Sequence, residues 1–153
     1  MLVIHRKTRK ALKAEIKNLT ENDLKFIQHK KRFSFDWRLE KAYDCFKLVI
    51  KDTNNILGLM SLIDYPNELR IEIHLIELSK EHKGKDKKIG RIAGCLIAYA
   101  CRIAFSKGYD GFVSLVPKTT LIKHYQETYG FQKLGRQMAL SEESSKKLID
   151  KYL

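Results

Sequence analysis

The sequence predicts a mixed α/β (α+β) domain, a mostly antiparallel twisted sheet flanked by helices. Three strand patterns follow one another closely between residues 43 and 78. A basic, glycine-containing loop and a long apolar helical pattern over Ile92–Ser106 come next. The chain then continues as strand, helix, strand. Because strands joined by short turns pair antiparallel, the first half should form a meander.

Length and composition favour one folded domain over residues 1–153. The chain is 44% hydrophobic and holds only two prolines, which is typical of a globular protein. The longest apolar stretch, Ile92–Ala100, is too short to span a membrane, which needs ~20 residues. The three cysteines lie in apolar segments without disulfide or zinc spacing. We therefore expect buried free thiols, no metal and a cytoplasmic protein without membrane association.

The N-terminal third begins with a basic segment at about residues 1–12, which predicts an arm or a frayed helix. Ala14–Leu19 is a first strand candidate. Thr20, followed by three polar residues that include two acids, has the pattern of a helix N-cap. The aromatic cluster Phe33–Trp37 has two interpretations. It is either a lid packed on the core, which we favour, or a wall of the substrate pocket.

The three strand patterns are Tyr43–Lys51, Ile56–Tyr65 and Glu68–Leu78. In the third, apolar and polar residues alternate until Leu75, where Ile76 follows directly. A one-residue slip in the alternation indicates a β-bulge, a feature that often redirects backbone groups beside active sites.

The loop Lys80–Arg91 carries six lysines or arginines against two acids. It leads into a helix start, where free N–H groups and the helix dipole favour an anion. We therefore expect a phosphate-bearing ligand at this loop.

The C-terminal third predicts alternating elements. Gly111–Val116 is a short strand, Thr119–Thr128 a helix, and Phe131–Leu140 holds the last strand. Ser141, followed by two glutamates, should begin a C-terminal helix.

The formal net charge of +12 suggests anionic partners. Residues 1–33 alone carry ten lysines or arginines and three acids. Nucleic acid stays open as a partner, but no zinc pattern or aromatic-basic signature supports it. An anionic small ligand, or a plain solvated basic face, is therefore favoured.

Two motifs resemble those of the GNAT superfamily of acyl-CoA-dependent N-acetyltransferases. The segment His124–Phe131, HYQETYGF, is similar to the Tyr-x-x-x-Gly-Phe region that follows the fifth strand in that family. The segment Lys88–Ala93, KIGRIA, lies where the family has Arg/Gln-x-x-Gly-x-Gly/Ala. The spacing departs from the family pattern: Arg91 takes the first glycine position, and Gly90 is displaced by one residue.

The resemblance implies acetyl-CoA as co-substrate, no metal, and a central helix that follows a pyrophosphate-binding loop. It places the pantetheine arm against the backbone of Ile76, Glu77 and Leu78. It also places Tyr125 at the sulfur, as coenzyme contact and as acid for the leaving thiolate. The predicted pyrophosphate site consists of Lys83, Gly84, Lys88, Gly90, Arg91, Ile92 and Ala93.

The resemblance also suggests Glu72 as the base that takes the amine proton. The structural alternative for Glu72 is an ion pair on the sheet surface with Arg70 or a lysine of the neighbouring strand. His74, on the same strand face, is the reserve base because its reference pKa is near neutrality. Glu77 is a third candidate if the bulge turns it into the cleft.

The predicted function is acetyl transfer from acetyl-CoA to a primary amine by direct attack in a ternary complex. The acceptor, a small molecule or a peptide, is not specified by the sequence, although the positive charge disfavours polyamines. The alternative is a non-catalytic module of the same fold that binds nucleic acid or a protein partner. The sequence leaves room for a homo-oligomer.

Overall fold

The structure, a computed structural model, describes all residues from Met1 to Leu153. Four α-helices are present: α1 (Glu21–Lys30), α2 (Ile92–Ser106), α3 (Ile122–Tyr129) and α4 (Glu142–Tyr152). The nine strands are β1 (Leu2–His5), β2 (Ala11–Asn18), β3 (Asp44–Ile50), β4 (Ile56–Tyr65), β5 (Arg70–Leu78), β6 (Ile89–Gly90), β7 (Val113–Leu115), β8 (Gln132–Leu134) and β9 (Gln137–Leu140). Together these elements confirm the mixed α/β class.

The nine strands form one mostly antiparallel sheet in the order β6-β1-β2-β3-β4-β5-β7-β9-β8. The three central strands are consecutive in sequence, as predicted for the meander. The pair β5–β7 is parallel and joins Ile71, Glu72 and Ile73 to Val113, Ser114 and Leu115. Parallel pairing requires a crossover connection, and α2 supplies it. None of the helices is long and apolar enough to cross a membrane.

The chain divides into two compact units. The first unit comprises residues 1–61 and 75–96, and the second comprises residues 62–74 and 97–153. Strands β4 and β5 and helix α2 each contribute residues to both units, so the division does not follow element boundaries.

In the first unit, the N-terminal segment differs from the prediction. Residues 1–12 form neither an arm nor a frayed helix, because β1 pairs antiparallel with the start of β2. On its other side β1 pairs with β6, where Ile4 lies opposite Gly90. The strand predicted over Ala14–Leu19 is β2, which begins three residues earlier, at Ala11.

Helix α1 begins where the sequence predicts. Thr20 accepts a hydrogen bond from the Asp23 N–H at 3.1 Å, and Asp23 accepts one from the Thr20 N–H at 2.9 Å. This reciprocal pair is a capping box, which satisfies two free N–H groups at the helix start. The inner face of α1 packs Leu24 and Ile27 into a cluster with Phe33 and Trp37. The aromatic segment is therefore packed on the core, as favoured above.

Helix α2 has the predicted bounds, and most of its side chains are buried. Cys95 and Cys101 are fully buried, which agrees with their interpretation as core residues. Gly58 on β4 faces this helix closely: a Cβ at Gly58 would lie 2.9 Å from Cγ2 of Ile92. Glycine at this position lets β4 and the start of α2 approach each other.

The second unit contains a hairpin where one strand was predicted. Phe131–Leu140 splits into β8 and β9, which pair antiparallel on either side of a turn. Gly135 lies in that turn with φ of +62°, a left-handed conformation that suits glycine. Helix α4 follows directly, and Ser141 caps it by accepting a hydrogen bond from the Ser144 N–H, as predicted.

Candidate functional site

The start of helix α2 is an open helix N-terminus in the first unit. The first hydrogen bond within the helix runs from the Cys95 N–H to the Arg91 carbonyl at 3.0 Å. The N–H groups of Ile92, Ala93 and Gly94 therefore have no acceptor inside the helix. Such groups, aligned with the helix dipole, are suited to a phosphate oxygen.

The conformation of the loop explains why its glycines are out of register. Arg91 has φ of +77°, the left-handed region that favours glycine. Gly90 lies instead in β6, and its φ is not positive. The expectation that Gly90 belongs to an open loop was wrong, because it pairs with Ile4 of β1. Gly84 has φ of +71° and makes the turn that leads back toward β6.

Strand β1 holds the loop through both backbone and side chain. The Arg6 N–H donates to the Lys88 carbonyl at 2.8 Å, which extends the β1–β6 pairing. The Nε of Arg91 donates to the Leu2 carbonyl at 3.2 Å. The N-terminal segment thus supports the residue with the strained backbone, and it brings its own basic residues beside those of the loop.

The predicted coenzyme residues differ in exposure. Lys83, Gly84 and Lys88 are exposed, whereas the side chain of Ile92 is buried and leaves only its backbone for a ligand. Ala93 is half-buried. Lys83 Nζ lies 3.0 Å from a carboxylate oxygen of Glu77, so one predicted loop residue contacts one predicted strand residue.

The Glu77 carboxylate is buried beneath the aromatic segment, and both of its oxygens accept hydrogen bonds. Oε2 accepts from the Ser34 N–H at 2.6 Å, in addition to its contact with Lys83. Oε1 accepts from the Phe35 N–H at 3.2 Å and from the Trp37 indole N–H at 3.0 Å. Burial raises the pKa of Glu77, but these four donors outweigh it and lower the pKa below its usual value.

These contacts make Glu77 an anchor for the aromatic segment. A carboxylate with four donors and a lowered pKa is a poor proton acceptor at neutral pH. The geometry therefore argues against the third choice of base, although the backbone of Glu77 keeps its predicted place on β5.

A cavity of about 520 Å³ opens beside the aromatic segment, within the first unit. Helix α1 lines it with Leu24, Ile27 and Gln28. Lys31, the residue that caps this helix, Phe33–Arg38 and Lys80 form the remaining walls. Its volume is within the range of small-molecule sites. The sequence suggested a pocket wall at Phe33–Trp37 only as the less favoured interpretation, and the segment does both: it packs on the core and lines this cavity.

The edge of β5 is free of β7 beyond residue 73. The parallel register ends at the pair Ile73–Leu115, and β7 ends at Leu115. The later residues of β5, among them Ile76 and Leu78, therefore have no partner in β7. The β-bulge expected at Ile76 stays a prediction.

In the second unit, Glu72 forms the ion pair that was its structural alternative. The Arg70 Nη1 lies 3.3 Å from Oε1 of Glu72, and the same Nη1 donates to Ser114 Oγ at 2.9 Å. Arg70 also stacks on the ring of Tyr65, 4.0 Å from its centroid. His74 is exposed, two residues further along β5.

Tyr125 lies on α3 among aromatic rings. Its ring centroid is 5.6 Å from that of Phe131 in an edge-to-face arrangement, and 6.1 Å from that of Tyr129. Burial raises the pKa of the Tyr125 hydroxyl. Tyr125 is therefore protonated throughout the neutral range and can act only as a hydrogen-bond donor or a weak acid.

Two features of the site were not predicted from the sequence. The β1–β6 pairing was missed because β6 has only two residues and lies in a basic segment without alternation. The anchoring role of Glu77 was missed because its partners at residues 34–37 are some 40 positions away. Only the run of aromatic residues there hinted at a buried contact.

No family model matches the sequence, and no curated protein matches it. Solved structures do resemble it in fold. Spermidine/spermine N-acetyltransferase SpeG from Vibrio cholerae aligns with a TM-score of 0.62 and 19% identity, over 88% of this chain and 95% of that chain. The ribosomal-protein-S18-alanine N-acetyltransferase from Escherichia coli aligns with a TM-score of 0.61 and 15% identity, over 84% and 93%.

A third structure contains the coenzyme. It is a GNAT family acetyltransferase from Brucella melitensis in complex with acetyl-CoA, with a TM-score of 0.56 and 13% identity, covering 84% of this chain and 88% of that one. Sequence identities this low indicate a shared fold and do not indicate a shared substrate. The order of elements, the sheet and these similarities together show that the chain has the fold of the GNAT superfamily of N-acetyltransferases.

Proposed function

We propose that this protein transfers an acetyl group from acetyl-CoA to a primary amine, by direct attack of the amine in a ternary complex. The observation that carries the proposal is the open start of α2, which follows a cationic loop and a β5 edge free of β7. In the GNAT fold this is the place of the coenzyme. The similarity to acetyltransferases and to a complex with acetyl-CoA supports the same assignment.

The donor set at the loop fits a diphosphate. The N–H groups of Ile92 and Ala93 offer two hydrogen bonds along the helix dipole. Lys88 and Arg91 supply positive charge, and Arg91 can form bidentate contacts with phosphate oxygens. Lys83 is shared with Glu77, and the Arg91 Nε is shared with the Leu2 carbonyl, so we expect Lys88 to contribute most.

The strand β5 would hold the pantetheine arm. Its amide-containing chain can pair with an exposed strand edge through the backbone of residues 76 to 78, in the manner of an added strand. A backbone N–H of the same stretch would donate to the thioester oxygen as negative charge develops there. Acetyl-CoA supplies the activated thioester carbonyl when it is bound.

The attacking amine must lose its proton. Its nitrogen forms a bond to the carbonyl carbon, the carbon–sulfur bond breaks, and the proton passes to a base or to water. Glu72 and His74 remain the proposed acceptors of that proton. Glu72 needs to be released from Arg70 or to act through water, whereas His74 is exposed.

The leaving thiolate takes up a proton or a hydrogen bond. We propose that Tyr125 donates to this sulfur. Because burial raises the pKa of its hydroxyl, full proton transfer to a thiolate of lower pKa is uphill, and a hydrogen bond is the main contribution.

Thermal melting with acetyl-CoA tests the proposal first. At about 100 times its Kd, acetyl-CoA should stabilise the protein by roughly 2.7 kcal/mol, which corresponds to a rise in Tm of roughly 5–11 °C. Release of free thiol in the presence of a panel of amines then tests transfer itself. The variant Lys88→Gln should weaken acetyl-CoA binding, and Lys25→Gln on the exposed face of α1 is the matched control.

Absence of a melting shift at millimolar acetyl-CoA would contradict the proposal. A shift without thiol release for any amine would leave coenzyme binding intact and remove the catalytic part.

A further inference from the structure

The cavity beside the aromatic segment combines apolar walls with an excess of positive charge. Phe33 and Trp37 are buried in its wall, and Phe35 remains 44% exposed. The exposed part of the Phe35 ring is apolar surface at a concave site, and an apolar ligand can contact it.

The charged residues around the cavity do not cancel. Asp36 is the only acid that lines it, and both of its oxygens are taken by Arg38, whose Nε and Nη2 each donate at 2.9 Å. Lys31 and Lys80, which also line the cavity, are exposed cations, and neither forms an ion pair. The charge available to a ligand is therefore positive.

The wall is held in place before any ligand arrives. Glu77 fixes the N–H groups of Ser34 and Phe35 and the indole of Trp37. Arg32, directly before the aromatic segment, is also held in place. Its Nε donates to Glu81 at 2.8 Å, and its carbonyl accepts from the Lys80 N–H at 2.9 Å. A preformed wall reduces the entropy lost on binding, which favours specific recognition.

From this arrangement we infer that the cavity binds the acyl acceptor, and that the acceptor is an amine with an apolar or aromatic body and an anionic group. The anionic group lies between Lys31 and Lys80, and the body contacts Phe35. That this ligand is the acyl acceptor rests on the proposed function, whereas its chemistry is inferred from the cavity alone. It separates this chain from the spermidine acetyltransferases of similar fold, because spermidine carries only positive charges.

Trp37 makes the inference directly testable, because it is the only tryptophan of the chain and lies in the cavity wall. Its fluorescence would be titrated, without acetyl-CoA, with three amines of one aromatic body. These are L-phenylalanine, its phosphonate analogue 1-amino-2-phenylethylphosphonic acid, and 2-phenylethylamine, which lacks the anionic group. Spermidine is the fourth probe.

We expect the carboxylate or the phosphonate to bind at least ~10-fold more tightly than 2-phenylethylamine, a difference of about 1.4 kcal/mol. The stronger of the two identifies the anion. The double variant Lys31→Gln/Lys80→Gln should reduce the preference to less than ~3-fold. The double variant Lys25→Gln/Lys30→Gln, which removes the same two charges from α1 outside the cavity, should preserve it.

The inference would be overturned if 2-phenylethylamine or spermidine bound as tightly as the carboxylate and phosphonate probes, or more tightly. It would also be overturned if none of the four probes changed the fluorescence at 10 mM, which is roughly the weak limit of small-ligand affinity. The melting shift with acetyl-CoA is independent of this result. If the shift fails while the anion preference holds, the proposed function fails and the ligand chemistry stands. If the shift occurs and the preference fails, only the acceptor class is wrong.

Discussion

Replacing Glu77 by glutamine tests the anchor on which the cavity wall depends. The two side chains have nearly the same shape, but glutamine offers one acceptor oxygen where the carboxylate offers two. In either orientation of the amide, its NH₂ group faces two donors, either Ser34 N–H with Lys83 or Phe35 N–H with the Trp37 indole. Hydrogen bonds to a charged group contribute about 1.5–3 kcal/mol each.

The loss of two such bonds at a buried position should lower the free energy of unfolding by about 3 kcal/mol in Glu77→Gln. For a chain of this length, that corresponds to a decrease in Tm of roughly 6–12 °C. Urea denaturation followed by far-ultraviolet circular dichroism measures it without relying on Trp37. Glu81→Gln is the matched control: its ion pair with Arg32 is partly exposed, so we expect less than ~1 kcal/mol.

The pH dependence gives a second, independent check. The folded-state pKa of Glu77 lies below the usual value of 4.5, so its carboxylate contributes stability above that pH and loses it as the pH falls through the folded-state pKa. The difference between wild type and Glu77→Gln should therefore be full at pH 7 and should shrink below about pH 4. Equal stability at pH 7, or a difference that does not change with acid, would refute the anchoring argument.

Three further predictions concern the loop, the leaving group and the core. Arg91→Gly should relieve the backbone strain and raise the free energy of unfolding by about 0.5 kcal/mol, while it weakens acetyl-CoA binding ~10-fold. Asp52→Gly, at another left-handed residue, is the control: it should gain similar stability and leave the affinity for acetyl-CoA unchanged. Calorimetry measures both quantities. Tyr125→Phe should lower kcat at least ~10-fold and alter the Kd of acetyl-CoA less than ~3-fold, and unchanged turnover would remove Tyr125 from catalysis. Gly58→Ala should cost about 1–3 kcal/mol because its Cβ meets α2, whereas Gly90→Ala has 3.9 Å of clearance and should cost little, both measured by denaturation.

Local patterns were enough wherever one short segment determines its own conformation. Thr20 with Asp23 and Ser141 with two following glutamates predicted the starts of α1 and α4, because a cap involves residues only three positions apart. The bounds of α2 and β4 also agree with the prediction, since each is a long run of uniform apolar character. Boundaries moved by one to three residues elsewhere, where pairing extends or ends a strand.

The prediction failed at contacts between distant segments. The glycine pattern located the loop correctly, but it did not identify the residue with the left-handed backbone conformation. Gly90 belongs to β6 because this strand pairs with β1, and Arg91 makes the left-handed turn. The contacts of Glu77 were not predicted either, because its partners come from residues 34–37 and Lys83.

The sequence by itself determined the class of fold, the basic loop before α2 and the location of Tyr125, since periodicity, charge and caps are properties of neighbouring residues. Only the tertiary structure decided which residue carries the strained turn, what Glu77 and Glu72 contact, and that the aromatic segment and α1 enclose a cationic cavity. These depend on strand register and on side chains brought together across long stretches of chain, and no local pattern encodes such distances.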